Sequence, residues 1–124
     1  MSAADILKPY IEKYERLCGE KNVDELVNMY SNDSVLVQKG KSVAYGRQAI
    51  KEVYKKIVNG PQAIDKSSTP SIVGAGDFII YSGDFKCTLI DDKGHSIPHT
   101  GDFTHIYRKM DGEWFIIHED FLFN

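Results

Sequence analysis

Apolar residues in the first half of the chain recur every three or four positions, which is typical of amphipathic helices. Ser2 and Asp5 form a capping-box pair, Gly19 stands where a helix would end, and the stripe between them comprises Leu7, Tyr10, Ile11, Tyr14, Leu17 and Cys18. This pattern predicts one helix of about four turns. A shorter helix, capped by Asn22 and interrupted by the polar segment 31–34, is predicted from Val23, Leu26, Met29 and Tyr30.

A third helix is predicted to open at Gly46 and to close at Asn59-Gly60-Pro61, with Ile50, Val53, Tyr54 and Ile57 on its apolar face. A polar loop follows through Ser67, Ser68 and Pro70. Beyond this loop the chain consists of short runs rich in β-branched and aromatic residues, which are typical of strands. The predicted strands centre on Val35–Val37, Val43–Tyr45, Ile72-Val73, Phe78–Tyr81, Phe85–Ile90, Phe103–Tyr107 and Trp114–Ile117.

Two hairpin turns are predicted, at Asp91–Gly94 and at Asp111-Gly112, because these residues tolerate the backbone angles of tight turns. Helices followed by a run of hairpins predict the α+β class. We expect a curved, mostly antiparallel sheet with three helices from the N-terminal half on one face. A curled sheet under helices can enclose a cone-shaped cavity. With 124 residues, the chain is expected to form a single domain over residues 1–124.

The last predicted strand is apolar on both faces: Trp114 and Ile116 point one way, and Phe115, Ile117 and Phe121 the other. If the helices cover one face, the other face needs a second cover. An exposed patch containing Thr104, Ile106, Phe115 and Ile117 would exceed what monomers usually tolerate. The sequence therefore predicts a homodimer formed by a symmetric sheet-to-sheet contact.

Composition narrows the possible partners. The net charge is −3, and the basic residues form only short clusters, so we expect no nucleic-acid binding. The N-terminus lacks the pattern of a signal peptide, and no apolar run approaches the length of a membrane span, so we expect a cytoplasmic protein without membrane contact. Cys18 and Cys87 are interpreted as buried free thiols.

Three patches of the sequence, Tyr30–Val35, Gly46–Ile50 and Tyr107–Trp114, together resemble the nuclear transport factor 2-like superfamily. Within it, they resemble the SnoaL-like and ketosteroid-isomerase-like group, over nearly the whole chain. Gly101–Asn124 also resembles the hub (association) domain of calcium/calmodulin-dependent kinase II. The resemblance implies the α+β cone but no particular chemistry, because this fold carries isomerases, dehydratases, cyclases, hydrolases and non-enzymatic domains.

Alternation along the strands places Phe103, His105 and Tyr107 on one face. His118 and Asp120 share a face with Trp114 and Ile116, unless a bulge changes the alternation. The candidate catalytic set is Tyr14 as hydrogen-bond donor to an oxyanion, His105 as proton carrier and Asp120 as its orienting or basic partner. The predicted pocket lining is Tyr14, Gln38, Phe103, His105 and Tyr107.

Each candidate also has a structural interpretation. Tyr14 fits a core position on a helical stripe, His105 a hydrogen-bonded histidine on a strand, and Asp120 a solvated carboxylate. His118 and Glu119 are interpreted as structural. His95 and His99 are four positions apart but have Pro98 between them and no predicted helix, so we predict no metal site. No phosphate-binding loop or nucleophile signature is present, and no cofactor is predicted.

By this resemblance, one of the three catalytic residues of ketosteroid isomerases is retained in this chain. The oxyanion tyrosine matches Tyr14, the general-base aspartate falls on Gln38, and the second acid falls near His105. A cavity-lining arginine of the hub domain also falls near His105. The first hypothesis is therefore a non-enzymatic or weakly catalytic domain that binds a small, partly apolar molecule or serves in association. The alternative is an acid–base enzyme of the isomerase, dehydratase or cyclase type.

Overall fold

Three helices precede most of the strands in the computed structural model, which describes residues 1–57, 65–66 and 69–124. The helices are α1 (Ala3–Gly19), α2 (Val23–Leu26) and α3 (Gly46–Ile57), with a 3-10 turn at Val27–Met29. The strands are β1 (Tyr30–Gln38), β2 (Ser42–Tyr45), β3 (Asp65–Lys66), β4 (Ser71–Ala75), β5 (Phe78–Ile90), β6 (Ser96–Met110) and β7 (Glu113–Phe123). The helix end predicted at Asn59–Pro61 and the loop residues Ser67 and Ser68 lie outside the described residues.

Local sequence signals place the start of α1 correctly. The Ser2 hydroxyl accepts a hydrogen bond from the Asp5 N–H at 3.1 Å, and the Asp5 carboxylate accepts one from the Ser2 N–H at 3.2 Å. The predicted capping box is thus confirmed. The helix buries Leu7, Tyr14 and Leu17, which belong to the predicted stripe. α1 therefore packs one apolar face against the sheet.

The second helix is shorter than its apolar pattern predicts. Asn22 caps it by accepting from the Glu25 N–H at 3.3 Å, but α2 ends at Leu26 and β1 begins at Tyr30. Residues 31–34, predicted as a break, belong to β1, where the pairing with β7 is irregular between Tyr30 and Val35. Tyr30 and Ser34 are fully buried in the sheet, so tertiary packing outweighs the local preference of this polar segment.

The sheet runs in the order β2-β1-β7-β6-β5-β3, and β4 also pairs with β5. Among the described strands, β1 and β7 pair in parallel and the other pairs are antiparallel. The segment predicted as two strands, Phe78–Tyr81 and Phe85–Ile90, is one strand of 13 residues, and β6 has 15. The predicted α+β class, with a curved and mostly antiparallel sheet under three helices, is confirmed.

A β-bulge in β7 determines which side chains face the helices. Ile106 pairs with His118, whereas the next residue, Tyr107, pairs with Ile116, so Ile117 is the extra residue. Beyond this point the alternation is reversed. Glu119 and Phe121 join Ile116 on the buried face, while Asp120 lies on the outer face. The prediction that Asp120 shares a face with Ile116 is wrong for this reason, as is the assignment of Phe121 to the opposite face.

The core lies between the helices and the concave face of the sheet. Leu7, Tyr14, Ile50 and Tyr54 from the helices pack on sheet residues such as Ile79, Tyr81, Phe103, Tyr107 and Ile116. The outer face carries exposed apolar side chains, including Val73, Phe78 and Ile80. None of the described helices is long and apolar enough to cross a membrane.

Candidate functional site

One row of paired residues crosses the middle of the concave face. Tyr81 on β5 pairs with His105 on β6, His105 with Glu119 on β7, and Glu119 with Leu36 on β1. Directly paired residues on neighbouring strands point to the same side of a sheet. The register therefore brings an imidazole and a carboxylate together inside an otherwise apolar face.

His105 and Glu119 form a buried pair. The Nε2 atom of His105 lies 3.3 Å from Oε2 of Glu119, and the two residues are only 1% and 3% exposed. Aromatic rings surround the imidazole, with ring centroids of Tyr14 and Phe103 at 5.1 and 5.4 Å. A buried carboxylate is costly unless it is paired and hydrogen-bonded, and here the other bonds come from tyrosines.

Two tyrosines contact Glu119 directly, and a third contacts one of those two. Tyr54 on α3 has its hydroxyl 2.7 and 2.6 Å from the two carboxylate oxygens, and Tyr30 at the start of β1 donates to Oε1. Tyr14 on α1 contacts the Tyr54 hydroxyl at 2.5 Å. We call Tyr14, Tyr30, Tyr54, His105 and Glu119 the polar cluster.

The electrostatics of the polar cluster follow from its burial and its hydrogen bonds. Burial alone would raise the pKa of Glu119, but the charge of His105 and the hydrogen bonds from His105, Tyr30 and Tyr54 outweigh it and hold the pKa below its ordinary value. Burial, reinforced by the charge of Glu119, raises the pKa of Tyr14, Tyr30 and Tyr54 well above the ordinary value. At neutral pH the cluster therefore combines an ionised carboxylate with three protonated phenols.

The polar cluster forms one end of a pocket. The pocket opens to solvent, and its lining comprises Tyr14, Tyr54, Ile57, Phe85, Cys87, Phe103, His105, Glu119, Phe121 and Phe123. Glu119, His105 and Tyr54 are nearly fully buried, whereas Phe85, Phe123 and Ile57 are half-buried. The polar groups thus lie at the inner end, and aromatic rings line the walls towards the mouth.

Gly101 shapes the wall near the mouth. It pairs with Phe85 on β5 and Phe123 on β7, and the Phe85 ring lies directly over it. A Cβ atom at position 101 would lie 2.5 Å from Cζ of Phe85 and 2.3 Å from the Leu122 carbonyl oxygen. The absence of a side chain is therefore what allows the two phenylalanine rings, 5.7 Å apart, to close over the strand.

The predicted site residues divide into three groups. Tyr14, Phe103 and His105 line the pocket. Gln38 pairs with Phe121 but does not line the pocket, and Tyr107 is fully buried beside Tyr10, with ring centroids 6.4 Å apart. The Tyr107 hydroxyl has no hydrogen-bond partner among the described residues.

Asp120 forms the third group, and its predicted partnership with His105 is wrong. Its Oδ2 lies 2.8 Å from Nε2 of His118, and its Oδ1 lies 3.4 Å from Nζ of Lys39, on the outer face of the sheet. The bulge at Ile117 puts Glu119, rather than Asp120, opposite His105. The sequence alone gives Glu119 only a structural interpretation.

Sequence reasoning missed Glu119, Tyr30 and Tyr54. Tyr54 lies on the predicted stripe of α3 and Tyr30 at the end of the second apolar pattern, just as Tyr14 lies on the stripe of α1. The available signal was the recurrence of a tyrosine on three inward-facing patterns, since buried phenols need partners. No sequence signal located the bulge that turns Glu119 towards them.

Within the parts of the chain that the structure describes, no group of three or more His, Cys, Asp or Glu side chains lies close enough to hold a metal ion. His95 lies beside Asp91, with its Nδ1 3.2 Å from Oδ2, and His99 lies against the Phe123 ring. The two histidines have separate local partners.

Three helices over the concave face of a curved, open sheet, with a pocket between them, define the class of nuclear transport factor 2-like proteins. A model of the SnoaL-like domain family matches residues 8–121, and the chain belongs to that family. The resemblance predicted from the three sequence patches is confirmed. No curated protein matches the sequence.

Solved structures of the same fold match nearly the whole chain. A nuclear transport factor 2-like superfamily protein from Salmonella enterica serovar Typhimurium shows a TM-score of 0.83 at 16% identity, over 96% of this chain and 89% of that one. A ketosteroid isomerase-like protein from Erwinia carotovora atroseptica has a TM-score of 0.79 at 17% identity, over 96% of this chain and 94% of that one. A type 2 hexachlorocyclohexane dehydrochlorinase has a TM-score of 0.83 at 13% identity, over 97% of this chain and 84% of that one. At these identities the likeness shows the fold alone.

Proposed function

We propose that this protein binds a small, partly apolar molecule in the pocket between the helices and the sheet. The observation that supports this proposal is the pocket's composition: phenylalanine walls lead to an inner end where Tyr14, His105 and Glu119 cluster. Pockets with largely apolar walls and a few convergent polar groups are the usual form of small-molecule sites. The polar end would orient the ligand, and the walls would supply most of the contact.

Binding fits this geometry better than acid–base catalysis by the predicted groups. Glu119 is an ionised carboxylate, but hydrogen bonds from Tyr30 and Tyr54 and the pairing with His105 lower its basicity. Asp120 lies on the other face of the sheet. The position that carries the base in ketosteroid isomerases holds Gln38, whose amide cannot take a proton from carbon near pH 7.

A pocket-filling variant tests binding. Titration of the protein with neutral aromatic and alicyclic molecules, followed by ligand-observed NMR, should give saturable binding. Cys87 lines the pocket, so Cys87→Phe should fill it and abolish binding. The matched control is Thr88→Phe, at the adjacent position on the opposite side of β5, and it should retain binding. Binding that persists in Cys87→Phe, or an absence of binding at millimolar concentrations, would contradict the proposal.

The second candidate is an acid–base enzyme, and the contact between His105 and Glu119 supports it. A carboxylate 3.3 Å from Nε2 can orient an imidazole as a general base acting through its other nitrogen. We would measure deuterium exchange into an enolisable ketone. Exchange that is lost in His105→Gln but kept in Asp120→Asn would favour the enzyme. Exchange that survives both substitutions would place the chemistry elsewhere.

We also propose a homodimer formed through the outer face of the sheet. Val73, Ile80 and Ile106 are consecutive partners across β4, β5 and β6, with Val73 57% and Ile80 43% exposed. Such a continuous apolar row is a common feature of protein–protein interfaces. A cytoplasmic location stays a prediction from the sequence.

Light scattering at micromolar concentration should give a dimer mass for the unmodified protein. Ile80→Lys should give a monomer, because it buries a charge in the proposed contact. The control Lys13→Glu, at an exposed position of α1, should stay dimeric. A monomer mass for the unmodified protein would refute the dimer.

A further inference from the structure

The positions of the phenolic protons in the polar cluster restrict what the pocket can bind. Each tyrosine hydroxyl has one proton to donate and two lone pairs that accept. The Tyr54 hydroxyl lies within 2.7 Å of both oxygens of Glu119, and Tyr30 also contacts this carboxylate. The Tyr30 hydroxyl also lies 2.9 Å from that of Tyr54, but an ionised carboxylate accepts more strongly than a phenol oxygen, so both protons are directed to Glu119.

This arrangement determines the direction of the remaining hydrogen bond. Tyr14 and Tyr54 are 2.5 Å apart, and the single proton of Tyr54 is already directed to Glu119. Tyr14 must therefore be the donor to Tyr54. A ligand group that reaches the Tyr14 hydroxyl thus meets an oxygen that can accept, whereas an acceptor such as a ketone would have to break the bond between Tyr14 and Tyr54.

The charge at this end of the pocket disfavours anionic ligands. Glu119 is ionised, and its Oε2 already lies 3.3 Å from Nε2 of His105. A second carboxylate would be placed near the first, between walls of low polarity where charges are costly. The ligand group that fits is a neutral hydroxyl.

The walls favour a flat aromatic body. The Phe123 ring is inclined at 74° to Phe85 and at 77° to Phe121, with centroids 5.7 and 5.5 Å away. Rings set edge-to-face present both edges and faces to a further ring, an arrangement that aromatic molecules prefer. These rings lie on the mouth side of the polar cluster, so an aromatic ligand can touch both.

Taking the proposed ligand-binding function as given, we propose that the pocket selects neutral aromatic hydroxyl compounds of the phenol class. The ligand hydroxyl donates its proton to the Tyr14 oxygen, and the ligand ring packs on Phe85, Phe121 and Phe123. This direction of donation is opposite to the oxyanion role that the sequence predicts for Tyr14.

Four probes that share a 4-methylphenyl body test the inference by isothermal titration at neutral pH: 4-methylphenol, 4-methylanisole, 4-methylbenzaldehyde and 4-methylbenzoate. The phenol should bind about fivefold or more tightly than the ether and the aldehyde, which only accept, and the benzoate should bind most weakly. Equal or tighter binding of the aldehyde or benzoate would overturn the phenol selectivity while leaving a ligand-binding pocket. Failure of all four to bind at millimolar concentration would overturn the proposed function, and the selectivity with it.

The Tyr14→Phe variant identifies the accepting oxygen. It should lower the affinity for 4-methylphenol to that for 4-methylanisole and leave the ether nearly unchanged. Tyr107→Phe, which removes a buried hydroxyl outside the lining, should leave the phenol-to-ether ratio unchanged. A ratio that persists in Tyr14→Phe would overturn the assignment. If that variant does not fold, the comparison of probes on the unmodified protein still decides the selectivity.

Discussion

His105 and Glu119 lie directly opposite each other on β6 and β7, with Nε2 of one 3.3 Å from Oε2 of the other. The pair exists because a single extra residue, Ile117, reverses the inward–outward alternation of β7 just before Glu119. Without the bulge, Asp120 would face the helices and Glu119 the outer surface. The polar cluster and the pocket's inner end therefore depend on this one irregularity of the sheet.

Removing the charge of Glu119 should strongly destabilise the fold. Glu119→Gln leaves His105 and two phenols around an amide that cannot accept all their protons, and breaking a buried pair in this way costs about 3–5 kcal/mol. The free energy of unfolding in urea measures the effect. Asp120→Asn, the neighbour on the outer face, should cost less than about 1 kcal/mol because its partners Lys39 and His118 are both at least partly exposed. Equal losses for the two variants would contradict the assigned faces.

Glu119 should also make stability depend on pH in the acid range. Its pKa in the folded protein is below the ordinary value of 4.5, so its contribution is fully present above that value and is lost as pH falls through the lower folded pKa. Glu119→Gln lacks this contribution. The stability difference between the unmodified protein and the variant should therefore shrink with acidification below about pH 4.5.

This comparison cancels the exposed acids Asp5, Asp24 and Asp91, whose pKa values are also lowered but which are the same in both proteins. The measurement is urea unfolding at a series of pH values. A difference that stays constant or grows on acidification would show that Glu119 is protonated in the folded protein.

Removal of the Tyr54 hydroxyl should destabilise the fold, whereas removal of the Tyr107 hydroxyl should not. Tyr54→Phe deletes a donor to Glu119 and the acceptor of Tyr14, and a lost hydrogen bond to a buried charge costs about 1.5–3 kcal/mol. Tyr107→Phe should be neutral or stabilising, because its hydroxyl is buried without a partner among the described residues. The free energies of unfolding of the two variants, measured by heat or urea, test this prediction. A large loss in Tyr107→Phe would indicate a buried water on that hydroxyl.

Adding one methyl group at Gly101 should disturb the pocket mouth. Gly101→Ala places Cβ 2.3 Å from the Leu122 carbonyl, which cannot move without the strand, and overpacking of this kind costs about 1–3 kcal/mol. Gly83→Ala is the matched control: its Cβ would lie 3.4 Å from the Phe103 ring, an ordinary contact, and should be neutral or stabilising by up to about 1 kcal/mol. Similar unfolding energies for the two variants would refute this account of the Phe85 packing.

Local signals predicted the elements of this fold well. The capping box at Ser2 and Asp5, the stripe of α1 and the turn at Asp111-Gly112 each depend on residues close together in the sequence. The second helix was predicted too long because the burial of Tyr30 in the sheet is a long-range effect. Tyr14 and His105, in contrast, could be identified as candidate site residues from the sequence, because each interrupts an apolar pattern with a polar group.

The sequence by itself determined the class of fold, the order of its elements and the inward direction of Tyr14, Phe103 and His105, since periodicity is a local property of the chain. Tertiary structure alone decided which carboxylate meets His105. The bulge at Ile117 forms through pairing with β6, and a shift of one residue exchanges Glu119 for Asp120 at the buried face. The convergence of Tyr30 and Tyr54 on Glu119 was also beyond the sequence, because it joins residues 89 and 65 positions apart through packing of separate elements.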